Sequence, residues 1–349
     1  MTKEKNPGEI IRTALFKMLE TGLVEKVLAF ACGLDEKDIR PILIEDKKDV
    51  SRIVLTSYYP YNLSRLLKNY LGKGVKIGLV VRSCDARACV ELAKRNQVNI
   101  DNIYLIGIEC SGVADPASSP EMAGDLYIFS KEMIAGGEKK PIDEKLIRSN
   151  CLRCEYPVPS MADISCRITP EKTFVTVNSK KGEEIIAAAE IIAEQEESPS
   201  REQLKERADQ YQEKDFSSLK EMKPDDRLNY WLKQFDKCIK CYGCRNACPI
   251  CYCKDCYLEA DRILVKRGEL PPERMFHLTR LAHVADSCIN CGMCESVCPM
   301  EIPLSRLYHM LYKELSTVFK YEAGLDPKSP PPLGSITEEE LTQGGVDID

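Results

Sequence analysis

The sequence predicts an α/β fold for its first part and a small, cysteine-rich α+β fold for its last third. Short apolar runs alternate with segments of helical periodicity up to about residue 195, which is typical of an α/β domain. Beyond that point, two runs of regularly spaced cysteines lie close together. We therefore expect an α/β domain at 1–195, a charged linker at 196–229, a cysteine-rich domain at 230–320 and a Pro-rich, acidic tail at 321–349.

Local patterns place the elements of the first region. Residues 9–30 have helical periodicity, and a second helix begins near Leu63. Asp85 opens a helix directly after the apolar run that ends at Val81, and another helix starts at Gly182. Strands are expected at 42–44, in GVKIGLVV, at 103–108, and in the segments DLYIF and TFVTV.

The remaining segments are polar. Residues 196–229 are rich in charge and poor in apolar residues, so they form either a solvated linker or an exposed helix. The tail is Pro-rich and then acidic, and we expect it to be extended and available to a partner.

Composition limits the class of protein. The 349 residues are 44% hydrophobic and 30% charged, which is typical of a globular chain. A net charge of -6 gives no indication of nucleic acid or an anionic membrane as a partner. The N-terminus MTKEKNPGEI has no apolar core of a secretory signal, and no apolar stretch approaches the ~20 residues of a membrane span. We expect a cytoplasmic protein without a membrane span.

The chain contains 18 cysteines and only 3 histidines. A chain of this size without an export signal has no need of many disulfides, so metal ligation is the better interpretation. Zinc sites often combine cysteine with histidine, whereas ligation by cysteine alone favours iron–sulfur clusters.

Two cysteine runs share one spacing, C-x2-C-x2-C-x3-C-P, beginning at Cys238 and at Cys288. This is the pattern of two-cluster bacterial ferredoxins, in which the fourth cysteine of each run ligates the other cluster. The alternative, zinc, favours two separated pairs. We predict one 4Fe-4S cluster bound by Cys238, Cys241, Cys244 and Cys298, and a second bound by Cys288, Cys291, Cys294 and Cys248.

The segment PICYCKDC between the runs adds Cys251, Cys253 and Cys256. These are either thiols that pack around the first cluster or a further metal site completed by another cysteine or a partner chain. The spacing leaves both alternatives open.

Four cysteines of the first region have informative positions. Cys84 and Cys110 each follow an apolar strand, at the edge where open α/β sheets gather their sites. Cys151 and Cys154 form a C-x2-C pair of the metal-binding type. Together these thiols could close a tetrahedral site, but spacing alone equally allows scattered core cysteines. The cysteines outside the two runs and their insert are Cys32, Cys84, Cys89, Cys110, Cys151, Cys154 and Cys166.

Three segments in order, VVRSCDARAC, IYLIGIECSG and NCLRCEYPVPSMADIS, resemble the beta subunit family of coenzyme F420 hydrogenases and dehydrogenases over roughly residues 8–195. In that family the matching cysteines hold a 4Fe-4S cluster beside a flavin. The resemblance implies an α/β fold and a third 4Fe-4S cluster bound by Cys84, Cys110, Cys151 and Cys154.

The resemblance also allows FAD as a cofactor, but the sequence departs from the family where flavin would bind. Flavin-binding members have a Gly-Gly near the first helix and a Gly-rich stretch after the Ala-Asp-Ile-Ser segment, where backbone approaches the cofactor. Here the first segment, NPGEIIRTALF, has one glycine and the second, ADISCRITPEKTFVTV, has none. We therefore expect flavin to be absent or weakly bound.

Arg82 and Arg87 flank the Cys84 loop. They either make surface ion pairs or stabilise a reduced, negative cluster or a partner contact.

These observations predict an iron–sulfur electron-transfer subunit of a cytoplasmic, anaerobic redox complex. No catalytic residue is expected, because the α/β region contains no histidine and no acid–base or nucleophile constellation. The resemblance implies catalytic redox partners such as a formate dehydrogenase, a hydrogenase or a heterodisulfide-reductase-like subunit. The alternative is a flavin-dependent oxidoreductase that acts on coenzyme F420 or a related hydride carrier.

Overall fold

The computed structural model of the chain describes most of both regions. The described residues are 8–32, 39–55, 59, 61–70, 74–110, 112–115, 145, 147–168, 172–194, 200–254, 256–259 and 273–334.

A six-stranded sheet organises the first region, with strand order β2-β1-β3-β4-β5-β6. The four inner strands are parallel, and both edge strands are antiparallel to their neighbours. The strands are β1 (Lys26–Cys32), β2 (Ile39–Ile44), β3 (Ile77–Val81), β4 (Ile103–Ile108), β5 (Ile164–Ile168) and β6 (Thr173–Val177).

The described residues form eleven α-helices. They are α1 (Glu9–Glu20), α2 (Ser64–Tyr70), α3 (Ser83–Lys94), α4 (Ser149–Leu152), α5 (Lys180–Ala189), α6 (Arg201–Lys220), α7 (Pro224–Phe235), α8 (Gly243–Ala247), α9 (Glu273–Val284), α10 (Met293–Ser296) and α11 (Leu304–Phe319).

Helices cover both faces of the sheet, as the alternation of strands and helices predicts. Leu15 of α1 and Ile185 of α5 pack with Ala29 and Ile106 on one face. Residues of α2 and α3 pack with β1, β3 and β4 on the other face. Strand β3 is buried along its whole length, which explains its continuous apolar sequence.

The expected helix at 9–30 is wrong in its second half. Helix α1 ends at Glu20, the chain turns through Gly22, and β1 begins at Lys26. An unbroken apolar run such as VLAFA suits a buried helix or a buried strand equally well. Pairing with β2 and β3 on its two sides decides for the strand.

The strand predictions for the rest of the first region have different outcomes. The sequence patterns do not single out β5, which directly follows Asp163. The predicted strand DLYIF lies outside the described residues, whereas TFVTV forms β6.

The charged segment 196–229 contains helices rather than an extended linker. Ser200 and Gln203 form a reciprocal capping box that starts α6. Phe216 and Leu219 bury one side of α6, so this helix is only partly exposed.

The cysteine-rich region is helical in its described part, which contains no strand and so differs from the α+β expectation. Its cysteine loops contain residues of left-handed conformation, which interrupt the extended backbone that strand pairing requires. Trp231, Phe235, Tyr308 and Tyr312 form its core together with Ala88 from α3. Helix α3 of the first region therefore contributes to the core of the cysteine-rich region.

The start of the tail packs on the chain itself, although we expected an extended segment. Tyr321 and Ala323 are buried, and the backbone N–H of Gly324 donates to Glu91 at 2.6 Å. The tail beyond residue 334 lies outside the described residues. Among the helices that the structure describes, none is long and apolar enough to cross a membrane.

Candidate iron–sulfur centres

Both cysteine runs fold in the same way. Lys240 and Tyr242 in the first run, and Asn290 and Gly292 at the matching positions of the second, have positive φ angles of 54°, 59°, 54° and 69°. Each pair turns the chain around its cysteines before a short helix, α8 or α10, begins. Where residues of left-handed conformation alternate with residues of ordinary conformation, successive backbone N–H groups point into the loop. Such a loop favours the binding of an anion.

Backbone N–H groups contact the sulfur atoms with one repeated offset. The N–H of Lys240 donates to Sγ of Cys238 at 3.3 Å, two residues earlier. The N–H of Tyr156 donates in the same way to Sγ of Cys154 at 3.4 Å. The same two-residue offset occurs at Cys110, Cys288 and Cys291. Such bonds stabilise thiolate ligands and tune the potentials of iron–sulfur clusters.

One cavity collects cysteines from both runs. Cys248, the last cysteine of the first run, lines it with Cys288, Cys291 and Cys294 of the second. The structure thus brings together the four residues that the crossed pattern assigns to the second cluster. Arg280 and Tyr308 also line this cavity.

The other crossed set also lies together. Burial is the main cause that raises the pKa of the Cys238 and Cys244 thiols. The thiols of Cys298 and Cys241 raise the pKa of both further, so all four are electrostatic neighbours. Cys241 is exposed to solvent, which places this set nearest the protein surface.

The four N-terminal cysteines line one cavity. Cys84 is the second residue of α3, after β3, and Cys110 follows β4, so both lie at the carboxyl edge of the sheet. Helix α4 brings Cys151 and Cys154 to the same place. Cys291 of the second run lines this cavity as well.

Burial controls the acidity of these thiols. It raises the pKa of Cys110 to about 11 and of Cys154 to about 12, and it raises the pKa of Cys84 well above its usual value. Arg82 acts against the rise at Cys84 and Cys110. Arg82 is itself buried and pairs with Asp85 at 3.1 Å, so it is not in a surface ion pair.

A contact that the sequence analysis missed joins the two cavities. Asn150 Nδ2 donates to the carbonyl of Asn290 at 3.1 Å, and Asn290 Nδ2 donates to the carbonyl of Asn150 at 2.9 Å. Arg148 donates to the carbonyl of Cys291 at 3.0 Å. Both asparagines begin an N-C-x-x-C segment, which is the sequence signal that could have indicated the pair.

The three insert cysteines, Cys251, Cys253 and Cys256, line a further cavity together with Arg280. A hydrogen bond between the thiols of Cys248 and Cys251 lowers the pKa of Cys248 and raises that of Cys251. Cys253 is exposed, and Cys256 is half-buried. Within the described ranges, no three Cys, His, Asp or Glu side chains converge tightly enough to hold a single metal ion. Ligands of a four-iron cluster surround it instead, because each binds a different iron.

Two of the histidines are packing residues, and the third, His283, lines a cavity together with the insert cysteines. His277 is 1% exposed and stacks on Phe235 with 4.7 Å between ring centroids. Burial lowers its pKa to about 4 and also lowers the pKa of His309. Both therefore stay neutral near pH 7, without the poised pKa of a general acid or base.

Two known families match this chain, each over a different part of it. Residues 234–302 match the family described as 4Fe-4S dicluster domain. Residues 121–202 match the family described as the C terminus of the coenzyme F420 hydrogenase/dehydrogenase beta subunit.

Two relatives match nearly the whole chain. The F420-dependent formate dehydrogenase subunit beta of Methanocaldococcus jannaschii is 36% identical over 357 residues, covering 91% of this chain and 92% of the relative. The F420-dependent formate dehydrogenase 1 subunit beta of Methanococcus maripaludis is 34% identical, covering 92% of each.

A solved structure of the F420-reducing NiFe hydrogenase complex from Methanosarcina barkeri gives a weaker likeness. Identity is 17%, the TM-score is 0.47, and the match covers 61% of this chain and 86% of that one. That TM-score is too low to assign the fold of that structure to this chain. The two relatives that match nearly the whole chain share enough identity and coverage with it to establish its family. The chain therefore belongs to the family of F420-dependent formate dehydrogenase beta subunits.

Proposed function

We propose that this chain relays electrons through three 4Fe-4S clusters within a formate dehydrogenase-type or hydrogenase-type complex. Family membership and the dicluster region support an iron–sulfur electron-transfer subunit. The observation that carries the three-cluster proposal is the shared lining of the N-terminal cavity, where Cys291 lies beside the four N-terminal cysteines.

The proposed ligands form three sets, which we name the surface set, the middle set and the N-terminal set. The surface set is Cys238, Cys241, Cys244 and Cys298. The middle set is Cys248, Cys288, Cys291 and Cys294. The N-terminal set is Cys84, Cys110, Cys151 and Cys154.

The three sets follow one another without a break. Cys244 is an electrostatic neighbour of Cys294, which links the surface set to the middle set. Cys291 of the middle set is an electrostatic neighbour of Cys84. A bound 4Fe-4S cluster supplies one-electron transfer, and the protein's part is to hold successive sites close together with sulfur atoms out of water.

The partners follow from the family. We propose that a formate-oxidising or hydrogen-oxidising catalytic subunit docks at one end of this relay. An acceptor module, such as a heterodisulfide-reductase-like subunit, would dock at the other end. The exposed Cys241 makes the surface set the natural contact for one of them.

Iron analysis tests the proposal. Anaerobically purified protein should contain about 12 Fe per chain, at four per cubane. Cys154→Ala should lower this to about eight and leave the paramagnetic signals of the other two clusters in place. Cys241→Ala should damage the dicluster module and spare the N-terminal cluster. An unchanged iron content in Cys154→Ala would refute the N-terminal set, and stoichiometric zinc would refute the whole scheme.

A second candidate is a flavin-dependent oxidoreductase that acts on coenzyme F420. It is favoured by the names of the two full-length relatives and by three arginines, Arg82, Arg148 and Arg207, that line the N-terminal cavity. Against it stand the two segments where the family's flavin binders are rich in glycine: here the first has a single glycine and the second has none. Flavin release on denaturation, measured by fluorescence, separates the candidates: stoichiometric FAD would favour the enzyme.

A further inference from the structure

Three buried arginines, Arg87, Arg148 and Arg280, form no ion pair with a carboxylate among the described residues, and Arg87 and Arg280 are the most deeply buried of the three. Arg87 and Arg280 are each 2% exposed, and neither pairs with an Asp or Glu among the described residues. Each also has a buried nitrogen without a hydrogen-bond acceptor, Nη2 of Arg87 and Nε of Arg280. By contrast, the buried Arg82 and Arg153 have Asp85 and Asp215 as partners.

Arg280 lies between the surface set and the middle set. It donates from Nη2 to the carbonyl of Cys244 at 3.1 Å and from Nη1 to Tyr308 Oη at 2.6 Å. It also lines the cavity of the middle set beside Cys248, Cys288 and the other two cysteines. Its charge therefore acts on two of the proposed clusters.

Arg87 lies between the middle set and the N-terminal set. It donates to the carbonyl of Ala323 at 2.8 Å and to that of Ile289, next to Cys288, at 3.5 Å. On its other side the guanidinium stacks on Tyr156, 4.0 Å from the ring centroid, and Tyr156 lines the N-terminal cavity.

The electrostatics agree with this placement. Burial raises the pKa of the Cys288 thiol to about 11, and both Arg280 and Arg87 act against that rise. Arg87 acts in the same direction on Cys154, and Arg280 on Cys244. Both arginines thus stabilise the thiolate form of cysteines on either side of them.

A buried cation without a counter-ion is costly, by several kcal/mol even after relaxation. Arginine cannot avoid that cost by losing its proton, because its pKa exceeds about 12. Once ionised, the sulfur atoms of the three sets are anionic groups near both side chains, and Arg280 also lies beside the insert residue Cys251. The chain therefore carries buried positive charges without a carboxylate partner, which bound clusters would compensate.

We propose that Arg280 and Arg87 are positioning residues of the relay, each fixed between two successive clusters to favour their reduced, more negative state. This inference rests on the proposed three-cluster function. A reduced cluster gains one negative charge, so a fixed cation beside it raises the reduction potential. Arg280 acts on the surface and middle clusters, and Arg87 acts on the middle and N-terminal clusters.

Redox titration followed by EPR tests the proposal on the full-length protein. Arg87→Met should lower the one-electron reduction constant of the middle and N-terminal clusters about tenfold, which is 59 mV. Arg280→Met should do the same for the surface and middle clusters. Arg87→Lys and Arg280→Lys should keep most of the wild-type potential. Cys154→Ala and Cys241→Ala assign the signals, and Arg52→Met, an exposed arginine, is the control.

The outcomes separate this inference from the proposed function. About 12 Fe with unchanged potentials in both Met variants would overturn the inference and leave the relay intact. Equal shifts in the Met and Lys variants would also overturn it, because a structural role would then suffice. If the Met variants do not load clusters, the cluster content of Arg87→Lys and Arg280→Lys is compared with that of Arg87→Gln and Arg280→Gln. Loading of the Lys but not the Gln variants supports the role of charge, and equal loading of both overturns it.

Discussion

Gly292 sits where the two halves of the molecule meet. Its φ of 69° suits glycine, and an added Cβ would lie 2.2 Å from Oδ1 of Asn150. This close approach lets Asn150 and Asn290 exchange hydrogen bonds beside Cys291. A single missing side chain therefore permits the contact between the middle and N-terminal sets.

Gly292→Ala should destabilise this interface. The left-handed backbone alone costs about 1–2 kcal/mol, and the overlap with Asn150 adds about 1–3 kcal/mol. Gly22→Ala is the matched control, because Gly22 has a φ of 72° and no atom within 4 Å of an added Cβ. Anaerobic thermal unfolding should show a larger loss for Gly292→Ala. Equal midpoints for the two variants would contradict the importance of the contact.

Spacing predicts which cysteines lie together but not what surrounds them. The crossed pattern identifies the four residues that line the middle cavity, because consecutive ligand loops are encoded locally. Asn150 and Asn290 are 140 positions apart, so no local pattern indicates their pairing. The sequence favours a surface pair for Arg87, yet this residue is buried by a tail segment that begins more than 230 residues later. Only the packing of distant segments determines such contacts.

Helix α3 connects the sheet to the cysteine-rich region. Its Cys84 faces the N-terminal cavity, whereas Ala88 packs into the other core. Glu91 on the same helix accepts hydrogen bonds from Tyr321 Oη and from the N–H of Gly324, both at 2.6 Å. Binary patterning predicts the helix but not this carboxylate, because a buried Glu breaks the apolar pattern.

Glu91→Gln should destabilise the docked tail. Glu91 is fully buried and pairs with Lys94 at 3.1 Å and Arg95 at 2.5 Å. Removing its charge leaves both cations uncompensated, at a cost of about 3 kcal/mol. Denaturation should show that loss. Glu20→Gln, which alters an exposed carboxylate with two lysine partners, should have little effect.

The pH dependence has a definite sign. Burial opposes ionisation of Glu91, but the bond from Tyr321 and the charges of Lys94 and Arg95 outweigh it, so its pKa lies below 4.5 in the folded state. The stabilisation is therefore complete above about pH 4.5 and is lost as the pH falls through the lower, folded value. The stability difference between wild type and Glu91→Gln should shrink over that range. A constant difference would contradict the ionised state of Glu91.

Two truncations should behave differently. Removal of 335–349 keeps the docked segment, so we expect it to lower iron content and stability less than the longer truncation does. Removal of 321–349 takes away Tyr321, Ala323 and Gly324, which cover Glu91 and Arg87, and should lower stability and cluster retention. Iron analysis and limited proteolysis measure both effects. Equal iron content and equal protease resistance would show that the docked segment is dispensable.

The three cysteine sets extend from the protein surface to the carboxyl edge of the sheet. The α/β region contains no histidine, and the buried His277 and His309 are held neutral. In the proposed relay these sets pass electrons, and a docked catalytic subunit would carry out the oxidation of formate or hydrogen.

The isolated chain should bind clusters but not turn over formate or hydrogen. Enzymes typically work at ~1–1000 per second, and we expect rates far below that range with formate, hydrogen, NAD(P)H or coenzyme F420 and an artificial dye. Gentle anaerobic purification should instead recover the chain with a catalytic redox subunit, and the recovered complex should reduce the dye with formate or hydrogen. Cys241→Ala is the control variant for the wild-type complex, because it should damage the exposed end of the relay without altering the N-terminal set. Oxidation of formate or hydrogen by the isolated chain at enzyme-like rates would contradict the proposal that the chain only relays electrons. Rapid reduction of F420 by the isolated chain would instead support the flavin-dependent alternative.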